Sequence, residues 1–195
     1  YLSLKTKVKQ IGVIHDLNFE HYPEDLPKSA LKYLKKYFPL FAKKAAHILT
    51  VSQYSKDDIC KTYNVDSAKV TVSYNGASDL FKPIEFFVQE LIRTKYTNGE
   101  EYFVFVGALH ARKNVARLFQ AYDAFKNTTS SKTKLVIVGE KLWNSVDLDS
   151  SFNALSHQED VIFTGHLPIE QLTQIVGAAK ALVFPSYFEG FGIPL

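Results

Sequence analysis

Ala181-Leu182-Val183-Phe184-Pro185-Ser186-Tyr187-Phe188-Glu189-Gly190-Phe191-Gly192-Ile193-Pro194-Leu195 is the stretch whose reading decides the fold. The apolar run 181–184 reads as a buried strand. Pro185 and Ser186 stop it, and one acid, Glu189, then sits against Gly190 and Gly192. Glycine lets backbone approach a ligand closely, and free N–H groups there suit an anion. A carboxylate beside them accepts hydrogen bonds from hydroxyls. Strand end, glycine turn, acid and the start of a helix make a ligand site at the carboxyl edge of a parallel sheet. The competing reading is a surface loop whose glycines only serve turns.

Working back from that stretch, strands alternate with helices. The runs 102–106, 134–138 and 161–164 are strands, and the first two are followed at once by Gly107 and Gly139, the third by Gly165. Helices are expected at 115–126, with Asn114 as cap, at 151–156, and from Pro168 to about residue 179. Four strands alternating with helices make a doubly wound parallel sheet. The segment 83–101 holds Pro83, an irregular amphipathic run and the turn Asn98-Gly99, and reads as a linker between two α/β domains.

Upstream, 11–14, 48–51 and 70–74 are strands of another βαβ pattern. Residues 29–47 have helical periodicity, with Pro39 expected to kink or split the helix. Leu31, Leu34, Phe38, Phe41 and Ala45 share one side, and Lys28, Lys32, Lys35, Lys36 and Lys43 the other. Two readings of that basic face stand: a peripheral contact with anionic lipid, or an ordinary solvated face. Ser52 or Ser55 caps the next helix, and Ser55 with Asp58 has capping-box spacing.

Composition sets bounds. Of 195 residues, 46% are hydrophobic and 22% charged, which gives a packed core rather than disorder. A net charge of +3 is too mild to argue for nucleic acid. A single cysteine, Cys60, rules out an internal disulfide and fits a reducing compartment. No run is long enough to span a membrane. The sequence has no methionine and opens on Tyr1, so it reads as an internal piece of a longer protein.

Chemistry is expected at the carboxyl ends of the strands. Arg112 and Lys113 precede a helix N-terminus, where two cations are unfavourable without an anion; together with free N–H groups they would hold a phosphate or diphosphate, or they simply belong to a solvated loop. Gly165, His166 and Leu167 are candidates to wall a base or sugar pocket, or simply a turn. His15, beside Asp16 at a strand end, is a candidate catalytic group or a structural histidine. Neither a G-x-G-x-x-G loop nor a P-loop is present, and no Cys or His cluster has metal-ligand spacing.

These segments together resemble a known family. Glu189-Gly190-Phe191-Gly192-Ile193-Pro194-Leu195 resembles the start of the E-x7-E signature of retaining glycosyltransferases of group 1, family 4, which have the GT-B fold. Phe105-Val106-Gly107-Ala108-Leu109 running into Arg112-Lys113-Asn114 is similar to its "G…RKN" segment. The stretches 161–168 and 179–186, and upstream 14–17, 49–55 and 72–83, also match. The resemblance implies two Rossmann-like domains with parallel sheets facing a cleft, divided here as 1–82, a linker 83–101, and a nucleotide-sugar domain 102–195. It implies transfer of a sugar from a nucleotide-diphosphate sugar, with retention of configuration and without a metal. Arg112 and Lys113 would neutralise the leaving diphosphate. Glu189 would bind sugar hydroxyls, while the backbone of Gly190, Phe191 and Gly192, with Gly107, approaches the donor. Gly165, His166 and Leu167 would lie near the base. His15 would act at the transferred sugar. The acceptor would be a glycan, a lipid-linked molecule or a small molecule, and the place the cytoplasm or the inner face of its membrane.

Parts of the pattern lie outside this sequence: the second signature Glu, the acceptor-side glycine-rich loop and the returning C-terminal helix. This stretch alone is therefore expected to transfer weakly or not at all. The alternatives are a non-catalytic module that binds a nucleotide sugar, or an epimerase or phosphorylase on the same architecture.

Overall fold

Runs that are apolar along their whole length belong in sheets covered on both faces. The structure, a computed structural model, describes residues 2–140 and 146–194. Tyr1 and Leu195, the outer bounds of the expected domains, lie outside the described residues, and so does the last position of the expected signature. The chain divides into two units. The first takes residues up to Gly76 together with Phe188–Ile193, and the second takes Ala77–Tyr187 with Pro194.

In the first unit, Ile11–Val13 (β1), His47–Thr50 (β2) and Val70–Val72 (β3) form a parallel sheet in the order β1-β2-β3. Asn18–His21 (α1), Lys28–Lys44 (α2) and Gln53–Tyr63 (α3) connect them. Ile14, Leu17, Ala42, Ile48, Ile59 and Val70 form the core. Helix α2 ends earlier than the expected residue 47, because the Ala46 N–H is given to Gln10 O at 2.8 Å as pairing with β1 begins. Pro39 lies inside one continuous helix. Burial of Phe41 and Ala42 just after it holds the last turn in place; one large apolar side chain contributes about 1.5–3 kcal/mol, against about 3 kcal/mol for an internal proline. Ser52 is the cap of α3, its Oγ accepting from the Ser55 N–H at 3.1 Å. Asp58 forms no capping box with Ser55: its carboxylate takes His21 Nε2 at 2.8 and 2.9 Å and Thr62 Oγ1 at 3.1 Å.

In the second unit the helices are Phe86–Thr97 (α4), Val115–Thr128 (α5), Val146–Asn153 (α6) and Ile169–Gly177 (α7). The strands are Tyr102–Val106 (β4), Lys134–Val138 (β5), Val161–Gly165 (β6) and Ala181–Leu182 (β7), all parallel, in the order β6-β5-β4-β7. Strand β7 is shorter than the expected 181–184; the Val183 N–H still reaches Val104 O at 2.8 Å, but Pro185 has no N–H to continue the ladder. Alternation sends Phe105, Leu135 and Ile137 to a core shared with Val115, Phe119 and Leu155. Tyr102, Val104, Val136 and Val138 go to the other face, with Ile92 and Ile175.

That second face corrects the expected linker. Residues 86–97 form the regular helix α4, with Ile92 buried and Ile84, Val88 and Tyr96 packed on the sheet core. Arg93 Nε donates to Ala178 O at 3.1 Å. A Cβ at Gly177 would lie 3.2 Å from Ile84, so the glycine makes room for the approach. The expected first-domain bound at residue 82 likewise moves to Gly76.

At the amino edge of this sheet Asp160, 8% exposed, takes Lys126 Nζ at 2.6 Å and also Lys134 Nζ. Burial pushes its carboxyl up, but the hydrogen bonds from the two lysines outweigh that and hold it below the usual carboxylate range. Among the described residues no helix is long and apolar enough to cross a membrane.

Candidate functional site

At the carboxyl edge of the second sheet, strand ends meet closely. Gly107 (φ +151°) follows β4 and gives its N–H to Val138 O at 2.9 Å. A Cβ at Gly139 would stand 2.0 Å from Gly107 O, so only glycine lets the ends of β4 and β5 touch this way. Beyond them lies a cavity of about 300 Å³, lined by Gly107, Gly139, Glu140, His166 and Leu167 among others. Gly165 lines a neighbouring cavity of about 530 Å³ with Leu109 and Phe163.

The cation turn stands on the same edge. Leu109 N–H bonds Glu140 O at 2.9 Å, and a short 3-10 turn, Ala111–Lys113, leads into α5. His110 Nδ1 accepts from the Arg112 N–H at 3.4 Å. Lys113 is only 8% exposed, with Nζ 5.2 Å from the Phe184 ring centroid. Arg112 O accepts from the Tyr187 N–H at 3.1 Å. Asn114, expected to cap α5, stands at the cap position but makes no side-chain cap bond. Its Nδ2 donates to Pro185 O at 3.1 Å instead. The Ser186 hydroxyl between these contacts is buried and has no partner among the described residues. The second unit thus brings together Gly107, Arg112, Lys113, Gly165, His166 and Leu167.

Glu189, Gly190, Phe191 and Gly192 fall elsewhere. The sequence reading placed them in the 102–195 domain, and the structure assigns Phe188–Ile193 to the first unit, with His15. The reason is steric and apolar. A Cβ at Gly190 would come within 2.9 Å of His15 O and 3.0 Å of Asp16 Oδ2, so the bare backbone lies directly on the turn after β1. Ser55 Oγ, buried, donates to Gly190 O at 3.3 Å. Phe188, 7% exposed, packs among His21, Tyr22 and Tyr54 with ring centroids 5.6, 5.6 and 5.9 Å away. Phe191 meets Tyr74 at 6.3 Å, and Gly192 has φ +90°. Glu189 is half-buried between these anchors.

Sequence reasoning missed Glu140, His21, Tyr22 and Tyr54. Glu140 had a usable signal, an acid next to the glycine that ends a parallel strand. The three rings had none, since their partner Phe188 lies far along the chain. Among the described residues no three His, Cys, Asp or Glu side chains gather as a metal-ligand group.

The chain belongs to the group 1 glycosyl transferases: that family's model matches residues 88–195, and the model of glycosyltransferase family 4 matches residues 1–79. It is 32% identical over 186 residues to the O-antigen chain mannosyltransferase RfbU of Salmonella typhimurium, covering 95% of this chain and 48% of that protein. It is 26% identical over 188 residues to the O-antigen chain mannosyltransferase B of Escherichia coli, covering 96% of this chain and 49% of that protein. The chain spans about half the length of the curated relatives it matches. Among solved structures it is similar to WaaG, a glycosyltransferase involved in lipopolysaccharide biosynthesis, with TM-score 0.73 and 17% identity over 95% of this chain and 52% of that one. It is similar also to HepE of Anabaena in complex with UDP-glucose, with TM-score 0.72 and 17% identity over 91% and 47% of the two chains. The fold class is GT-B, with two Rossmann-like units, each on a parallel sheet.

Proposed function

We propose that the protein carrying this chain transfers a hexose from a nucleotide-diphosphate sugar to a glycan acceptor, with retention of anomeric configuration. The observation that supports this most is the cation turn: Arg112 and Lys113, at the mouth of α5, beside a cavity walled by strand-end glycines and His166-Leu167. Negative charge grows on the diphosphate as the sugar–phosphate bond breaks, and preorganised cations and helix N–H groups stabilise that charge. In this reading the two side chains carry the neutralisation without a metal. Gly165, His166 and Leu167 border the nucleobase. His15 acts at the transferred sugar and Glu189 receives its hydroxyls, roles that rest on the family resemblance. Mannose is favoured as the sugar, and a growing polysaccharide as the acceptor, by the names of the O-antigen chain mannosyltransferases.

The test is sugar transfer by the complete protein with GDP-mannose and UDP-glucose in parallel, in EDTA, with product anomers read by NMR. Arg112→Ala or Lys113→Ala is expected to cost roughly 2–4 kcal/mol of transition-state stabilisation, about 30- to 10³-fold in turnover. Near-wild-type turnover in both variants would refute the reading.

A place at the inner face of the cytoplasmic membrane belongs to the same proposal. Six lysines lie on α2 with no acid among its residues, and Tyr33 and Leu40 on it are more than 40% exposed. Anionic vesicles are expected to retain the complete protein at low salt and release it at high salt. Equal retention by neutral vesicles would remove this part.

A further inference from the structure

A helix cap usually spends its side chain on the N–H groups of the first turn. Asn114 holds that position for α5 and does not do so. It closes the Ala111–Lys113 turn and opens α5 in the left-handed conformation, at φ +58° and ψ +32°. Its own N–H is given to Ala111 O at 2.9 Å, and its carbonyl takes the Leu118 N–H at 3.1 Å. The carboxamide is then turned away from the helix, with Nδ2 on Pro185 O at 3.1 Å. The two residues before it are tied to the same strand end: Lys113 Nζ lies over Phe184, and Arg112 O takes the Tyr187 N–H. Three successive residues of the turn therefore reach three points between Phe184 and Tyr187.

We infer that Asn114 is a positioning residue for diphosphate binding: its carboxamide, held by the Pro185 carbonyl, sets where the Arg112 and Lys113 side chains stand at the mouth of α5. The inference rests on the donor reading above. A lysine and an arginine on a free turn would meet a diphosphate only after losing the freedom of the turn itself. A turn laced to a strand end has already lost it, so binding keeps more of the charge-assisted interaction. The left-handed backbone explains why asparagine suits the site, since it tolerates positive φ and carries a donor that glycine lacks.

Asn114→Gly separates the two roles, because glycine keeps the backbone and removes only the amide. The measurement is calorimetric titration of the complete protein with UDP and GDP, and with uridine and guanosine, alongside thermal unfolding. The expected result is a loss of about tenfold in affinity for the nucleoside diphosphate that the wild type binds, the scale of one hydrogen bond. Nucleoside affinity should be unchanged and Tm within a few degrees. Wild-type affinity in Asn114→Gly, with a loss in Arg112→Ala, would overturn the inference and leave the donor reading standing. Equal losses for nucleoside and nucleoside diphosphate would mean a merely structural role and overturn it too. If the wild type binds neither diphosphate, or Arg112→Ala and Lys113→Ala bind like wild type, the donor reading fails and takes the inference with it.

Discussion

Replacing Gly139 by alanine tests the close contact at the carboxyl edge of the second sheet. The added Cβ would stand 2.0 Å from Gly107 O and 2.7 Å from Gly107 C, so β4 and β5 would have to part by about 1 Å before a tolerable 3.0 Å contact returned. The obstacle is backbone, which cannot swing aside as a side chain does. Parting the strand ends weakens two bonds across them, Gly107 N–H to Val138 O and Leu109 N–H to Glu140 O, both 2.9 Å. Each contributes on the order of 1 kcal/mol. Holding alanine at φ +142° adds about 1–3 kcal/mol. The expected loss is therefore about 3–5 kcal/mol, a large part of the roughly 5–15 kcal/mol that holds a typical domain folded. The assay is urea unfolding followed by circular dichroism, with Gly165→Ala and Gly76→Ala as references. Gly165 has φ +68° and no atom within 4 Å of the added carbon, so only the backbone term of about 1 kcal/mol applies. Gly76 has open space and should change little. If Gly139→Ala unfolds within about 0.5 kcal/mol of Gly165→Ala, a difference too small for the expected steric cost, the two strand ends do not touch as described.

Other outcomes follow from the same structure. Asp160→Asn leaves Lys126 and Lys134 without their carboxylate and is expected to cost about 3–5 kcal/mol near neutral pH, read by denaturant midpoint. The Asp160 carboxyl is lowered in the folded state, so its contribution is present above the ordinary carboxylate range and lost as pH falls below it; the gap between wild type and variant should narrow below about pH 4, and a gap constant down to pH 2 would contradict the pairing. Phe188→Ala removes a buried ring among three others and should destabilise the first unit by about 3–5 kcal/mol, while Phe188→Leu should cost under about 1.5 kcal/mol; equal effects would mean that the rings do not hold that residue.

Much of the fold was legible because strands buried on both faces announce themselves. The run 134–138 has apolar residues at four successive positions after Lys134, and its ending glycine marks the carboxyl edge of the sheet as well as the strand end. The cation turn was legible for an electrostatic reason, since two positive charges beside a helix N-terminus ask for an anion. Helix α4 was not legible as part of the second sheet. Phe86, Phe87 and Leu91 are exposed while Ile92 is buried, so its apolar residues do not mark a single inward face. The role of Asn114 was half legible: residue type and position gave the cap site, but only the fold shows the amide turned to Pro185, whose place depends on β7 arriving beside β4. Residues 188–193 follow β7 directly in sequence, and no local pattern reveals their contacts with His15, Ser55 and Tyr54.

The bond from Ser55 to Gly190 joins residues 135 positions apart. On a ribosome adding roughly 5–20 residues per second, on the order of ten seconds pass between the making of the serine and the making of its acceptor. During that interval the Ser55 hydroxyl and the rings of His21, Tyr22 and Tyr54 wait for the contacts that Gly190 and Phe188 later bring.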